Sequence, residues 1–140
     1  MVTEYCVEMV VTLEPVGQPW VSISVNNQEQ TKQLKNIETF NFKFNSEAGN
    51  CKLIIDHFKK EDSDPVTAVI VKDVSFFGIT DPKFAWAGVY VPNYPAHYKN
   101  KIPVLPGQTY MGWNGQYTLT FTVPVFTWIH QIQNLGWLYQ

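Results

Sequence analysis

Polar and apolar residues alternate with period two over much of this chain. In residues 3–14, Tyr5, Val7, Met9, Val11 and Leu13 share one face, with Glu4, Cys6, Glu8, Val10, Thr12 and Glu14 opposite. Side chains of an extended strand point alternately to its two sides, so the pattern predicts a half-buried strand. Pro15, Gly17 and Pro19 punctuate it. Residues 20–25 alternate again, Val21, Ile23 and Val25 against Trp20, Ser22 and Ser24. Asn26-Asn27 then supplies a turn, because asparagine tolerates left-handed backbone angles. Beyond a polar stretch rich in Gln and Lys, Phe40, Phe42 and Phe44 line one side of a strand that carries Thr39, Asn41 and Lys43 on the other. A turn at residues 46–50 leads to a fourth strand over 51–58, and residues 67–79 predict one long strand or two short ones. Five segments about 10–20 residues apart, with no helical period, predict an antiparallel all-β fold.

Residues 80–113 change character. Pro82, Pro92, Pro95, Pro103 and Pro106 forbid long regular elements, and Phe84, Trp86, Tyr90, Tyr94, Tyr98, Tyr110 and Trp113 recur among them. A strand is expected over 84–91 inside an otherwise long aromatic loop region, and loops of this length are usually functional or carry short strands of their own. Trp113-Asn114-Gly115 predicts a hairpin-type turn. It leads into the clearest strand, with Tyr117, Leu119, Phe121, Val123 and Val125 facing Gln116, Thr118, Thr120 and Thr122 across it. Residues 126–140 form an apolar tail. Trp128, Ile132, Leu135 and Tyr139 stand at helix-like offsets, whereas Gly136 and the β-branched residues oppose a stable helix, so a short helical turn and a docked tail both remain open. The whole chain, 1–140, reads as one jelly-roll-like β-sandwich domain. Its expected core includes Phe40, Phe42, Phe44, Leu53, Ile55, Val69, Val71, Leu119, Phe121 and Val123.

Charge sharpens this picture. Residues 102–140 contain no Asp, Glu, Lys or Arg, where an average segment of that length carries about ten charges. The chain has a formal charge of −2, and all ten of its basic residues are lysines. Without arginine's bidentate fork, and without a basic groove, nucleic acid is not an expected partner. No segment reaches the length of a membrane span. The N-terminus lacks a basic and then apolar leader, so synthesis in the cytoplasm is expected, followed by residence there or export inside a particle such as a virion. Cys6 and Cys51 lie in separate strands with no metal-binding spacing, which favours two buried free thiols over a disulfide.

The signals from Val11 to Ile79 have an order: an alternating strand, a turn, the Trp20-Val21-Ser22-Ile23-Ser24-Val25-Asn26-Asn27 segment, and the aromatic strand Phe40–Phe44. Gly49, the strand from Leu53 to Phe58, the acidic run Glu61, Asp62 and Asp64, and the strand from Val71 to Gly78 follow. This order resembles the calcium-dependent xylan-binding carbohydrate modules, over about half of the chain. The resemblance implies a β-sandwich and polysaccharide binding. The family's calcium loop is glycine-rich, whereas residues 59–66 have no glycine, and residues 80–140 have no counterpart in it. The uncharged, Gly- and Trp-bearing ending is similar to small tailed-phage virion components.

Candidate chemistry is sparse. Glu61, Asp62 and Asp64 could offer hard oxygen ligands to Ca²⁺, but adjacent Lys59 and Lys60 suit a solvated charged loop. Asp56 and His57 point to opposite faces of one strand and make no dyad; His57 shares the face of Leu53 and Ile55 and is expected to be a satisfied inner or edge histidine. No nucleophile elbow or phosphate-cradling loop is present, so an enzyme is not expected. The aromatic set is the positive signal: Trp86, Tyr90, Tyr94, Tyr98 and Trp113 could stack on sugar rings or on a protein partner. Trp128, Ile132, Leu135, Trp137 and Tyr139 would form too large an exposed patch for a monomer, and are expected at an interface or folded back over the sandwich. The leading expectation is therefore a non-enzymatic assembly protein, such as a phage or virus particle component, that self-associates or joins other structural proteins through its uncharged end. The alternative is a glycan-binding module that uses the loop aromatics, with or without calcium.

Overall fold

The computed structural model describes residues 3–61, 64, 66–99 and 101–135. In chain order its elements are β1 (Glu4–Val16), β2 (Trp20–Val25), β3 (Gln28–Gln33), β4 (Glu38–Glu47), β5 (Gly49–Phe58), β6 (Ala68–Phe76) and β7 (Ile79–Thr80). Then follow α1 (Pro82–Trp86), β8 (Val89–Pro92), β9 (Leu105–Pro106), β10 (Tyr110–Met111), β11 (Gly115–Val123) and α2 (Val125–Leu135). Two antiparallel sheets face one another. One runs β10-β6-β1-β4 with β7 paired to β6, and the other runs β3-β2-β5-β11-β8-β9. The expected all-β sandwich is what forms.

Alternation sets the core. Val7, Met9, Val11 and Leu13 of β1 and Phe40, Phe42 and Phe44 of β4 point inward from one sheet. Val21, Ile23, Leu53, Ile55, Leu119 and Phe121 point inward from the other, and all are buried. Every residue of the expected core set is buried. Burial of each such side chain contributes about 1.5–3 kcal/mol against leaving it in water. Cys51 is buried and Cys6 exposed, both as free thiols, so only one of the two expected buried thiols is buried.

Three elements depart from expectation. β3 was not foreseen: it is an edge strand with no buried residue, so no apolar alternation marks it. Asn26 and Asn27 both hold positive φ, 47° and 66°, and Val25 pairs with Gln28. This is a two-residue hairpin of the kind that requires left-handed backbone at both central positions.

The strand expected over 84–91 starts only at Val89. Before it, the Asp81 side chain accepts a hydrogen bond from the Lys83 backbone N–H at 2.9 Å. With Pro82 in the first turn, this starts the short helix α1 instead.

The tail, left open between a helical turn and a docked segment, forms α2. Its Val125, Trp128 and Ile129 are buried. Tertiary packing outweighs the low propensity of its β-branched residues. Trp128 packs edge-on against Phe76 at 5.4 Å and beside Phe84 and Phe121. Lys83 Nζ donates to the Gln133 carbonyl at 3.1 Å, a cation at the helix C-terminus.

The antiparallel register sorts the sandwich into two ends. The last residues of β1, β5 and β8 and the first of β2, β6 and β11 meet at one end. The loops around residues 59–67, 93–104 and 112–114 gather there. Both helices pack toward the other end of the core.

Candidate functional site

The loop end brings part of the aromatic set together. The rings of Tyr94 and Tyr98 stack at 4.9 Å, only 5° from parallel, and Tyr98 meets Trp113 edge-on at 5.5 Å. With Tyr90, Ile102 and Tyr110 they line a cavity of about 470 Å³. Tyr90 is not a contact surface itself, being 1 % exposed. Its hydroxyl donates to the Trp113 carbonyl at 2.5 Å and accepts from the Trp113 N–H at 3.0 Å. That bond pair positions the Trp113 backbone, and burial pushes the Tyr90 phenol up to about 12, so it remains a neutral donor. The Tyr94 hydroxyl donates to the Ile102 carbonyl at 3.0 Å. Trp86 does not join the group: it is exposed on α1 and does not line the cavity.

A lysine from the acidic loop holds the platform from behind. Lys59 has φ of 61°, a left-handed step that turns the chain after β5. Its ammonium sits 4.3 Å from the Trp20 ring centroid, while that of Lys60 lies 4.4 Å from the Trp113 ring centroid. These are cation–π distances. Lys60 Nζ donates to the carbonyls of Thr67, at 2.7 Å, and Gly112, at 2.5 Å. The Asn114 side chain brackets the Lys60 backbone, accepting from its N–H and donating to its carbonyl, both at 2.9 Å. Burial pushes the Lys60 ammonium pKa down, while its carbonyl partners favour the charged form, the stronger donor. Lys60 and Thr67 are thus braced against residues 112–114. Sequence reasoning missed Lys60, Asn114 and Ile102; only the side-chain amide after Trp113 hinted at a turn role.

Of the three acidic candidates, Asp64 is bonded within its own loop. Asp64 Oδ1 accepts from the N–H groups of Val66, at 2.9 Å, and Thr67, at 3.1 Å, and Oδ2 accepts from the Thr67 hydroxyl. The Thr67 hydroxyl bond first, then the two backbone bonds, hold this carboxyl down at about 2. Asp62 lies outside the described residues. Among those described, no group of three His, Cys, Asp or Glu side chains is arranged to hold a metal ion.

His57 is an inner histidine, 2 % exposed, as its place on the β5 face implied, but only half of it is satisfied. Nδ1 lies 3.1 Å from the Met111 carbonyl and therefore carries the proton. Nε2 is buried with no hydrogen-bond partner among the described residues. Desolvation lowers the imidazole pKa.

Of the expected interface residues, Trp128 faces the chain's own core rather than a partner. Ile132 is half-buried against the same core. The tail folds back over its own sandwich here because Phe76, Phe84 and Phe121 leave an aromatic hollow that Trp128 fills. Leu135 ends α2, with its side chain outside what is described, and Trp137 and Tyr139 lie outside the described residues. Phe126 remains 58 % exposed, stacked on Phe77 at 4.8 Å.

No protein-family model and no curated protein matches this chain. A search of solved structures finds the chain similar to "vCBM60 in complex with galactobiose", a carbohydrate-binding module. The TM-score is 0.52 and the identity 15%, over 80% of this chain and 96% of the other. At that identity the likeness concerns the fold. The fold is an antiparallel β-sandwich similar to that module's, the fold that the order of strands in the sequence implied.

Proposed function

We propose that this protein is a non-catalytic glycan-binding domain whose contact surface is the aromatic cavity of Tyr94, Tyr98, Tyr110 and Trp113. The observation that carries this reading is the Tyr94–Tyr98–Trp113 cluster, stacked and edge-on within one open cavity. Sugar rings present apolar C–H faces edged by hydroxyls, and tyrosine and tryptophan offer a flat apolar face with a polar tip. The Lys60, Asn114 and Tyr90 bonds hold the platform in place before any ligand arrives, which lowers the entropy cost of binding. The sandwich fold agrees with this use. An assembly role drew on Trp128, Ile132, Leu135, Trp137 and Tyr139; of these, Trp128 and Ile132 pack on the chain's own core, and the side chains of the other three lie outside what is described.

Affinity electrophoresis through gels cast with xylan, galactan and other neutral polysaccharides tests the reading, with calcium and with chelator. At least one polymer should retard the wild-type protein, and Trp113→Ala should run freely while keeping its circular dichroism spectrum. Free migration of the wild-type protein in every polymer, with and without calcium, would contradict it.

A further inference from the structure

The cavity at the loop end borders a second one. The pairing register aligns Thr31, Ser22, Asp56, Gln116 and Val91 in a single row across β3, β2, β5, β11 and β8, on the outer face of the six-stranded sheet. At an interstrand spacing of about 4.8 Å the row is about 19 Å long. It crosses a trough of about 750 Å³. An ordinary solvated sheet face carries independent, mobile side chains. This row is tied together instead: Ser22 Oγ donates to Glu29 Oε1 at 3.0 Å, Thr31 Oγ1 to Ser22 Oγ at 3.2 Å, and Gln116 Nε2 to Asp56 Oδ1 at 3.1 Å. The last of these bonds uses Asp56 Oδ1 and Gln116 Nε2, and both residues line the trough.

Trough and aromatic cavity are continuous but for one ridge. Asn93 and Asn114 line the trough, and their chain neighbours Tyr94 and Trp113 line the cavity. The Asn93 N–H donates to the Asn114 carbonyl at 2.6 Å, closing the ridge between them. We infer that the ligand is an extended, neutral glycan chain, with one end stacked in the aromatic cavity and further sugars hydrogen-bonded along the Thr31–Ser22–Asp56–Gln116 row. This rests on the glycan-binding reading above and adds the ligand's length, charge and direction. The row offers hydroxyl, amide and carboxylate groups, which suits a hydroxyl-rich chain; Lys59 also lines the trough, but its ammonium is held over the Trp20 ring. Asp56 and Glu29 repel one that carries uronate or sulfate groups.

Calorimetric titration with xylo- and galacto-oligosaccharides of two to six sugars separates the two claims. For wild-type protein, affinity should rise about tenfold or more from the disaccharide to the hexasaccharide in the series it binds, equivalent to one or two net hydrogen bonds. The Ser22→Ala/Gln116→Ala double variant should flatten that rise to about twofold while still binding the disaccharide. Thr31→Val, which keeps the strand's shape, should show the same trend if the double variant melts early. A hexasaccharide no tighter than the disaccharide, a rise retained in both variants, or tighter binding of polygalacturonate than of the neutral hexasaccharide would overturn the extended-chain inference and leave the aromatic site standing. Wild-type protein that binds neither series, or a disaccharide affinity unchanged by Trp113→Ala, would overturn the glycan reading and the inference with it.

Discussion

His57 shows how one buried atom links pH to the loop end. Its Nδ1–H holds the Met111 carbonyl, and its Nε2 is buried without a partner among the described residues, so protonating the ring adds a desolvated charge near Lys60. The folded-state pKa is lowered from 6.5. The unfolded chain therefore takes up this proton first as pH falls, and stability falls with it. The contribution is fully present above about pH 6.5 and is lost as pH drops from there toward the lowered value, at no more than about 1.4 kcal/mol per pH unit. Urea midpoints measured from pH 7.5 to 5 should decline for wild-type protein and decline less for His57→Gln. Parallel curves would place the pH dependence elsewhere. At this scale the sequence was readable only in part. The face of His57 followed from alternation, but Lys59 and Lys60 look alike in a charged run. What separates them is a single left-handed φ at Lys59, which no neighbouring glycine announces.

Elements were legible in proportion to their one-sided burial. β1, β4, β5 and β11 each bury alternate residues, and each was readable from alternation alone. β3 buries nothing and shows only through the Asn-Asn hairpin. α1 carries an Asp-Pro start signal ahead of an aromatic run that reads equally well as a strand. α2 is helical because of what it covers: Val125, Trp128, Ile129 and Ile132 form one stripe over the core, and no local signal could reveal the hollow waiting for Trp128. Trp128→Ala should therefore cost about 3–5 kcal/mol in urea unfolding, as for other large aromatic deletions from a core. Phe126→Ala, on the exposed side of the same helix, should cost a fraction of that. Equal costs would mean that α2 does not dock through this stripe.

Across the whole molecule, the two ends of the sandwich are built differently. Helices, Phe76, Phe84 and Trp128 close one end, whereas braced loops at the other hold aromatic rings open around a cavity. The sandwich was legible because a two-sheet core imposes period two along most of the chain. The cavity was legible only as a list of aromatics, since which of them meet depends on the path of residues 93–104 and on Lys60 and Asn114, far apart in sequence. That is why Trp86 looked equivalent to Trp113 and is not. The central claim, that the loop-end cavity takes the glycan, is tested most directly by following the assigned tryptophan indole N–H signals in a ¹⁵N titration with galactobiose and with xylotetraose. The Trp113 signal should move with at least one of these sugars, together with the backbone signals of Tyr94 and Tyr98, while the Trp86 and Trp128 signals stay in place. Shifts confined to Trp86 or to α2, or no shift with either sugar, would contradict the account.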